Sequence, residues 1–261
     1  MSAVLERTRE VDRRAEPRPV TVRALVAVET RKLVDTRASV WIQVVVLVLC
    51  LAVTIAAFAL PVDSRTQHVF VGYSGAVVSI LLPMVAILAL TSEWANGSIL
   101  TPAVLVPRRW QILAAKFVAL FLFATAWTAL CLAIGTVATV AGGPEARDAA
   151  WDMGAGDVAT FWIGIVLSTT MGAAFGAAFM NPAIAIVVYL VLPLAWSIVS
   201  QLVEVVGDLS RWLDSSVTFS HLLDGTMDEA TDWWEVAAST GVWIALPLVV
   251  GLVRLSRREV S

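Results

Sequence analysis

Residues 158–203 read VATFWIGIVLSTTMGAAFGAAFMNPAIAIVVYLVLPLAWSIVSQLV and contain no Asp, Glu, Lys or Arg. As one helix, rising ~1.5 Å per residue, this stretch would be roughly twice as long as a bilayer's hydrocarbon core is thick. Asn181-Pro182 supplies a break, because the residue before a proline is pushed out of the helical region. The stretch therefore reads as two membrane helices joined by a tight turn, and that reading sets the parity of the whole chain.

Four further apolar runs flank this pair, so the six lie at about 39–60, 69–91, 112–141, 158–180, 183–204 and 236–253. Each is near the ~20 residues that cross a bilayer as helix. The chain is 59% hydrophobic and 15% charged, with a mean hydropathy of +0.82, where soluble domains carry about 25% charged residues. An integral membrane protein with six transmembrane helices is expected. The first 38 residues are too long and too polar for the leading region of a signal peptide. The first apolar run is therefore expected to remain as helix one. Cys50 and Cys131 both fall inside apolar runs and read as small hydrophobes.

Orientation follows from the basic residues. With the N-terminus inside, fifteen of the eighteen Lys and Arg fall in cytoplasmic segments, and only Arg65, Arg147 and Arg211 lie outside. So large a positive-inside bias favours this topology and an even number of spans. Trp41, Trp94 and Trp110 would mark the inner boundary, and Trp151, Trp162, Trp212, Trp233 and Trp234 the outer one.

Two absences narrow the function. Charged residues lie outside or at the edges of the six runs, where ion-coupled carriers usually hold a carboxylate or histidine deep in the membrane. His68 and His221 fall in predicted external loops at no metal-ligand spacing, and read as solvated or cap residues. No G-x-x-x-x-G-K-[ST] occurs either, since the only lysines, Lys32 and Lys116, follow Arg31 and Ala115. Energy for uphill movement would have to enter from a partner, and LTSEWANGSILTPAVLVPRRWQ, residues 90–111, is the one substantial cytoplasmic loop to receive it. Within that loop Ser92 is expected to cap a short helix starting at Glu93. Asn96-Gly97 would form a turn or C-cap, and Lys116 would snorkel back towards the headgroups.

The order Glu93-Trp94-Ala95-Asn96-Gly97-Ser98-Ile99, then Pro107-Arg108-Arg109, then Ala114-Ala115-Lys116 resembles the E-x-x-x-G-[ST]... P-x-R... A-K pattern of ABC type-2 exporter permeases. Glu29-Thr30-Arg31-Lys32-Leu33-Val34-Asp35-Thr36-Arg37 similarly resembles their E-x-x-K-L-x-x-x-R lead-in to helix one. The motifs are short, and the likeness rests on their order and placement along the whole chain. One departure is Trp94-Ala95-Asn96, where the family often carries a basic residue.

What the resemblance implies is an all-α integral membrane protein of the cell membrane, the permease subunit of an ATP-driven exporter for a lipophilic or amphipathic compound. Glu93, Trp94, Asn96, Gly97 and Ser98 would dock a coupling helix on a separate cytoplasmic ABC ATPase, with Arg108 and Arg109 buttressing it against Glu29 or Asp35. Glu29, Arg31, Lys32, Asp35 and Arg37 would belong to an interfacial connecting helix, and Asn181-Pro182 would make a minor second contact. The implied partners are that ATPase, which binds ATP-Mg, a second permease subunit, membrane lipid and the solute. No nucleic acid and no cofactor of its own are expected, nor any catalytic residue or metal ligand. If the family's cavity between helices two and five applies, Tyr73, Ser79, Tyr189, Trp196 and Ser200 would line the substrate pathway. The alternative is a non-transporting membrane scaffold or sensor that uses the same loop to dock a protein.

The residues themselves support parts of that plan. Val22, Leu25, Val26 and Leu33 fall near one helical face, with Arg23, Thr30, Arg37 and Arg31-Lys32 largely off it, which suits an interfacial amphipathic helix that Glu29 interrupts. The expected organisation is a disordered tail over 1–17, that connecting helix over 18–38, a six-helix domain over 39–253 and a cytoplasmic tail over 254–261, both termini being cytoplasmic. Residues 205–235 interleave acids with Trp212, Phe219, Leu222, Trp233 and Trp234, and are expected to form a re-entrant external element before helix six. Gly172-Ala173-Ala174-Phe175-Gly176 allows close helix approach, within the chain or at a dimer seam. Pro83, Pro193 and Pro247 can kink helices two, five and six.

Overall fold

The structure is a computed structural model that describes residues 21–35, 37–61, 65–95, 109–142, 151–202, 204–227 and 229–257. Among these residues it contains helices and no strand. They are α1 (Val22–Asp35), α2 (Arg37–Ala57), α3 (Gln67–Ala95), α4 (Arg109–Ala141), α5 (Ala155–Phe179), α6 (Pro182–Leu202), α7 (Glu204–Leu213), α8 (Ser215–Leu223), α9 (Ala230–Thr240) and α10 (Leu246–Arg257). A π-helical turn, Gly241–Ala245, makes α9 and α10 continuous. Six membrane-length helices result: Ser39–Ala57, Gln67–Ser92, Gln111–Ala141, Ala155–Phe179, Pro182–Leu202 and Ala230–Arg254. The chain is a multi-pass membrane protein.

The charge-free stretch divides where the proline stands. Met180 takes a left-handed conformation, φ 51°, and its N–H donates to Gly176 O, which ends α5. Asn181 Oδ1 then accepts from Ile184 N at 3.1 Å, so Asn181 caps α6 and Pro182 occupies its first turn, where no backbone donor is needed. The break is thus a two-residue device, with Met180 turning the chain and Asn181 restarting it.

The sixth span begins earlier than its apolar run. Glu229 N donates to Asp232 Oδ2 at 2.9 Å, starting α9 ahead of the hydrophobic stretch. Asp232 and Glu235 therefore lie in the opening turns of a membrane-length helix. Glu235 is buried and sits 3.6 Å from Arg211 Nε at the end of α7. Further along, Pro247 lacks the N–H that would bond Trp243 O in α-helical register. Just upstream the helix widens, and Leu246 N reaches back to Gly241 O.

α5 is the centre of the packing, with α3 against it along much of its length. A Cβ added at Gly172 would lie 2.6 Å from Pro83 Cα, and one at Gly176 would lie 3.2 Å from Ile87 Cα. The G-x-x-x-G face is consequently an internal seam between α5 and α3. Six hydroxyls buried among the spans are satisfied by their own helices: Thr54, Thr91, Thr128, Thr139, Ser168 and Thr169 each donate to the carbonyl four residues back. Cys50 and Cys131 are both fully buried free thiols, on α2 and α4, and Cys50 Sγ lies 3.6 Å from Ser74 O of α3. Trp162 donates from Nε1 to Thr125 Oγ1 of α4 at 3.0 Å and packs edge-on against Phe121.

Candidate functional site

α1 begins with Thr21, whose Oγ1 accepts from Ala24 N at 3.3 Å, and it ends with Leu33 O held from α2 by Ser39 Oγ and by Gln43 Nε2 at 2.9 Å. Both ends of a 14-residue helix are therefore fastened by side chains. Its inward face runs through Leu25, Val26, Glu29 and Leu33, while Arg23, Arg31, Lys32, Val34 and Asp35 are exposed. Glu29, which breaks the apolar stripe in the sequence, is the most consequential residue on that face.

Glu29 Oε2 meets Lys116 Nζ of α4 at 2.8 Å, and Glu29 Oε1 meets Lys32 Nζ at 2.7 Å. The Lys116 and Glu29 side chains are only 7% and 10% exposed. Lys116 therefore does not snorkel outwards; it turns into a buried ion pair, since a charge so enclosed needs a counter-charge. The pair joins residues 87 positions apart and locks α1 to the first third of α4. The same end of the bundle carries a second tie, in which Arg254 of α10 donates to Ala178 O near the end of α5 at 2.6 Å.

The remaining predicted docking residues are placed less fully. Glu93 and Trp94 lie in the last turn of α3, Arg109 at the start of α4 and Arg37 at the start of α2, all by backbone alone. Asn96, Gly97, Ser98 and Arg108 lie outside the described residues, as does the predicted disordered tail over 1–17. One local expectation is corrected. Ser92 does not cap a new helix at Glu93; it sits inside α3 and donates from Oγ to Ala89 O at 3.2 Å. Nothing between Thr91 and Ala95 breaks a helix, so α3 simply continues. Of the connecting-helix residues, Arg31 and Asp35 are exposed, and Glu29 pairs with Lys32 and Lys116.

Of the five predicted pathway residues, Tyr73 and Ser79 lie on α3 and Tyr189, Trp196 and Ser200 on α6. Tyr73 and Ser79 lie on the exposed surface of α3, with Ser79 Oγ donating to Ala76 O. Tyr189 packs edge-on against Phe175 of α5, their ring centres 6.0 Å apart, and Ser200 Oγ donates within α6 to Ser197 O. Trp196 lines a cavity of about 480 Å³ whose walls come mainly from α5, α6 and the last membrane-length helix. The sequence reading missed Phe175, Phe179 and Trp243 in that wall. Trp243, five residues upstream of Leu248 and four from a mid-span proline, was the one available signal.

At the opposite end, His68 N donates to Asp152 Oδ1 at 2.9 Å, and His221 Nδ1 bonds Thr226 Oγ1 at 2.9 Å beyond the last turn of α8. Both histidines serve helix ends. Among the described residues no group of three or more His, Cys, Asp or Glu could hold a metal ion. The chain matches no protein-family model, no curated protein and no solved structure.

Proposed function

We propose that the chain is the membrane-spanning subunit of an ABC type-2 exporter, moving a lipophilic or amphipathic compound outwards with energy from a separate ATPase. The observation that carries this reading is the buried Glu29–Lys116 pair. It joins two of the sequence segments that carry the family resemblance, the E-x-x-K-L lead-in and the A-K that follows the loop after helix two. An amphipathic helix fixed at both ends and bolted to the third span is what a push from a cytoplasmic partner requires, because force on a loosely tethered helix would dissipate locally.

In this reading the end carrying α1 faces the cytoplasm, both termini lie inside, and the protein resides in the cell membrane. ATP-driven closure of the partner moves the segment from Glu93 to Ser98, and the helix bundle shifts between inward- and outward-open populations. α7 and α8 form the external element before helix six. α8 is capped by Asp214, whose side chain accepts from Ser216 N at 2.9 Å, and buries Phe219 and Leu222 against α5. A second permease subunit completes the unit, and the outward faces of α2 and α6 are open to one: only 22% and 11% of their most apolar stretches are buried within the chain, against 56% for α3 and α5.

The test is co-purification under gentle detergent together with Glu93→Arg. A stoichiometric ATPase whose turnover responds to the chain is expected, and Glu93→Arg should abolish that response and the export while leaving membrane insertion normal. Unchanged export would remove the docking role. A chain that recruits a stable partner without any ATPase activity would instead favour a scaffold or sensor.

A further inference from the structure

The cavity between α5, α6 and the last span has about 480 Å³, within the ~300–1,000 Å³ common for small-molecule sites. Phe175 and Phe179 line it from α5, Leu192 and Trp196 from α6, and Trp243 from the π-helical turn, with Leu213 from the end of α7. No residue in its lining is charged. An ion brought against such carbon-rich walls would lose its hydration without compensation.

Two indoles in the wall differ in one respect. Trp243 Nε1 donates to Leu213 O at 2.6 Å, whereas Trp196 Nε1 is buried and has no acceptor. A buried indole N–H ordinarily finds one. The same wall holds the π-helical turn Gly241–Ala245 ahead of Pro247, a geometry frequent at functional sites. Leu192 and Val199 of the lining are also about half exposed on the outward side of α6, so the cavity can be reached from the hydrocarbon region.

We infer that this cavity binds an uncharged, lipophilic molecule carrying a hydrogen-bond acceptor, with a carbonyl or ether oxygen bonded to Trp196 Nε1 and an apolar body among Phe175, Phe179 and Trp243. Because the nitrogen is itself buried, engagement takes a small turn of the indole about its side-chain bonds. The site goes beyond the transport reading and does not require it: its ligand is defined by the lining alone, away from the Glu29–Lys116 lock. A neutral lipid ester and a lipophilic compound dissolved in the bilayer share this chemistry.

The experiment uses the purified full-length chain in phosphatidylcholine nanodiscs and a diazirine-bearing methyl palmitate, with crosslinks mapped by mass spectrometry. Labelling is expected on residues of 175–179, 192–199 and 242–250, competed by methyl palmitate and not by ionised palmitate. Trp196→Phe keeps the aromatic body and removes the donor; it should weaken competition by methyl palmitate about fivefold and leave competition by hexadecane unchanged. Ala195→Trp, which fills the cavity from its wall, should abolish labelling. Thermal melts of both variants report whether they remain folded. Native mass spectrometry separates the sources: a retained neutral glyceride indicates a lipid, and binding of added ester alone indicates a dissolved compound, either of which supports the site. Labelling spread evenly over lipid-facing helices would overturn it, as would equal competition by palmitate, equal loss for ester and hexadecane in Trp196→Phe, or a dimer contact that occupies these residues and excludes the probe.

Discussion

Glu29 occupies a position where an amphipathic helix would ordinarily place an apolar side chain, and it is held there by Lys116 and Lys32. A buried charge stripped of every partner costs about 3–5 kcal/mol, but removing Lys116 leaves Glu29 paired with the half-exposed Lys32, so the cost should fall below that range. Lys116→Met is therefore expected to lower the apparent melting temperature of the detergent-solubilised chain, by less than the loss of both lysines would. Glu29→Gln combined with Lys116→Met should recover part of the loss, because the buried carboxylate is then no longer left with only the half-exposed Lys32 as counter-charge. A double-mutant cycle read by thermal unfolding measures the coupling; additive single effects would mean that the two side chains do not act as a pair. The sequence shows Glu29 as an irregularity in a stripe and Lys116 as a basic residue near a membrane boundary. Their encounter is invisible there, because 87 positions separate them and only the docking of α1 on α4 closes the distance.

Among the elements, the α3–α5 seam depends on the absence of side-chain atoms. Gly172→Ala would set a Cβ against the Pro83 backbone, which cannot yield as a flexible side chain would. It should cost about 1–3 kcal/mol through overpacking. Gly156→Ala, in the first turn of the same helix, meets nothing within 4 Å and should be neutral or slightly stabilising. Paired melting curves of the two variants check this contrast, and a Gly172→Ala chain as stable as Gly156→Ala would mean that the seam is looser than described. The G-x-x-x-G spacing was legible in the sequence, but its partner was not. A stripe of small residues says that something approaches closely, and here the approaching surface is the backbone around Pro83, within the chain. The reverse holds for the turn at Asn181-Pro182. Its chemistry is local, so proline restriction was sufficient to place it, and the structure added the left-handed Met180 and the Asn181 cap.

For the molecule as a whole, sidedness remains the decisive expectation. With both termini in the cytoplasm, a cysteine placed at Ser261 in a chain whose Cys50 and Cys131 are replaced by Ala should react with a membrane-impermeant maleimide only after the cells are opened. Labelling in intact cells would reverse the topology and with it the place of the loop from Glu93 to Ser98. The six spans, their approximate limits and the helical class were set by the sequence alone, because crossing a bilayer demands long apolar runs and local breakers end them. Tertiary structure decided what those spans do to one another. It buried Lys116 against Glu29, brought Glu235 to Arg211, and formed an apolar cavity beside Trp196 among the last three spans. Each of these depends on residues distant in the chain. Hydropathy is summed along the sequence, whereas ion pairs and cavities are made across it.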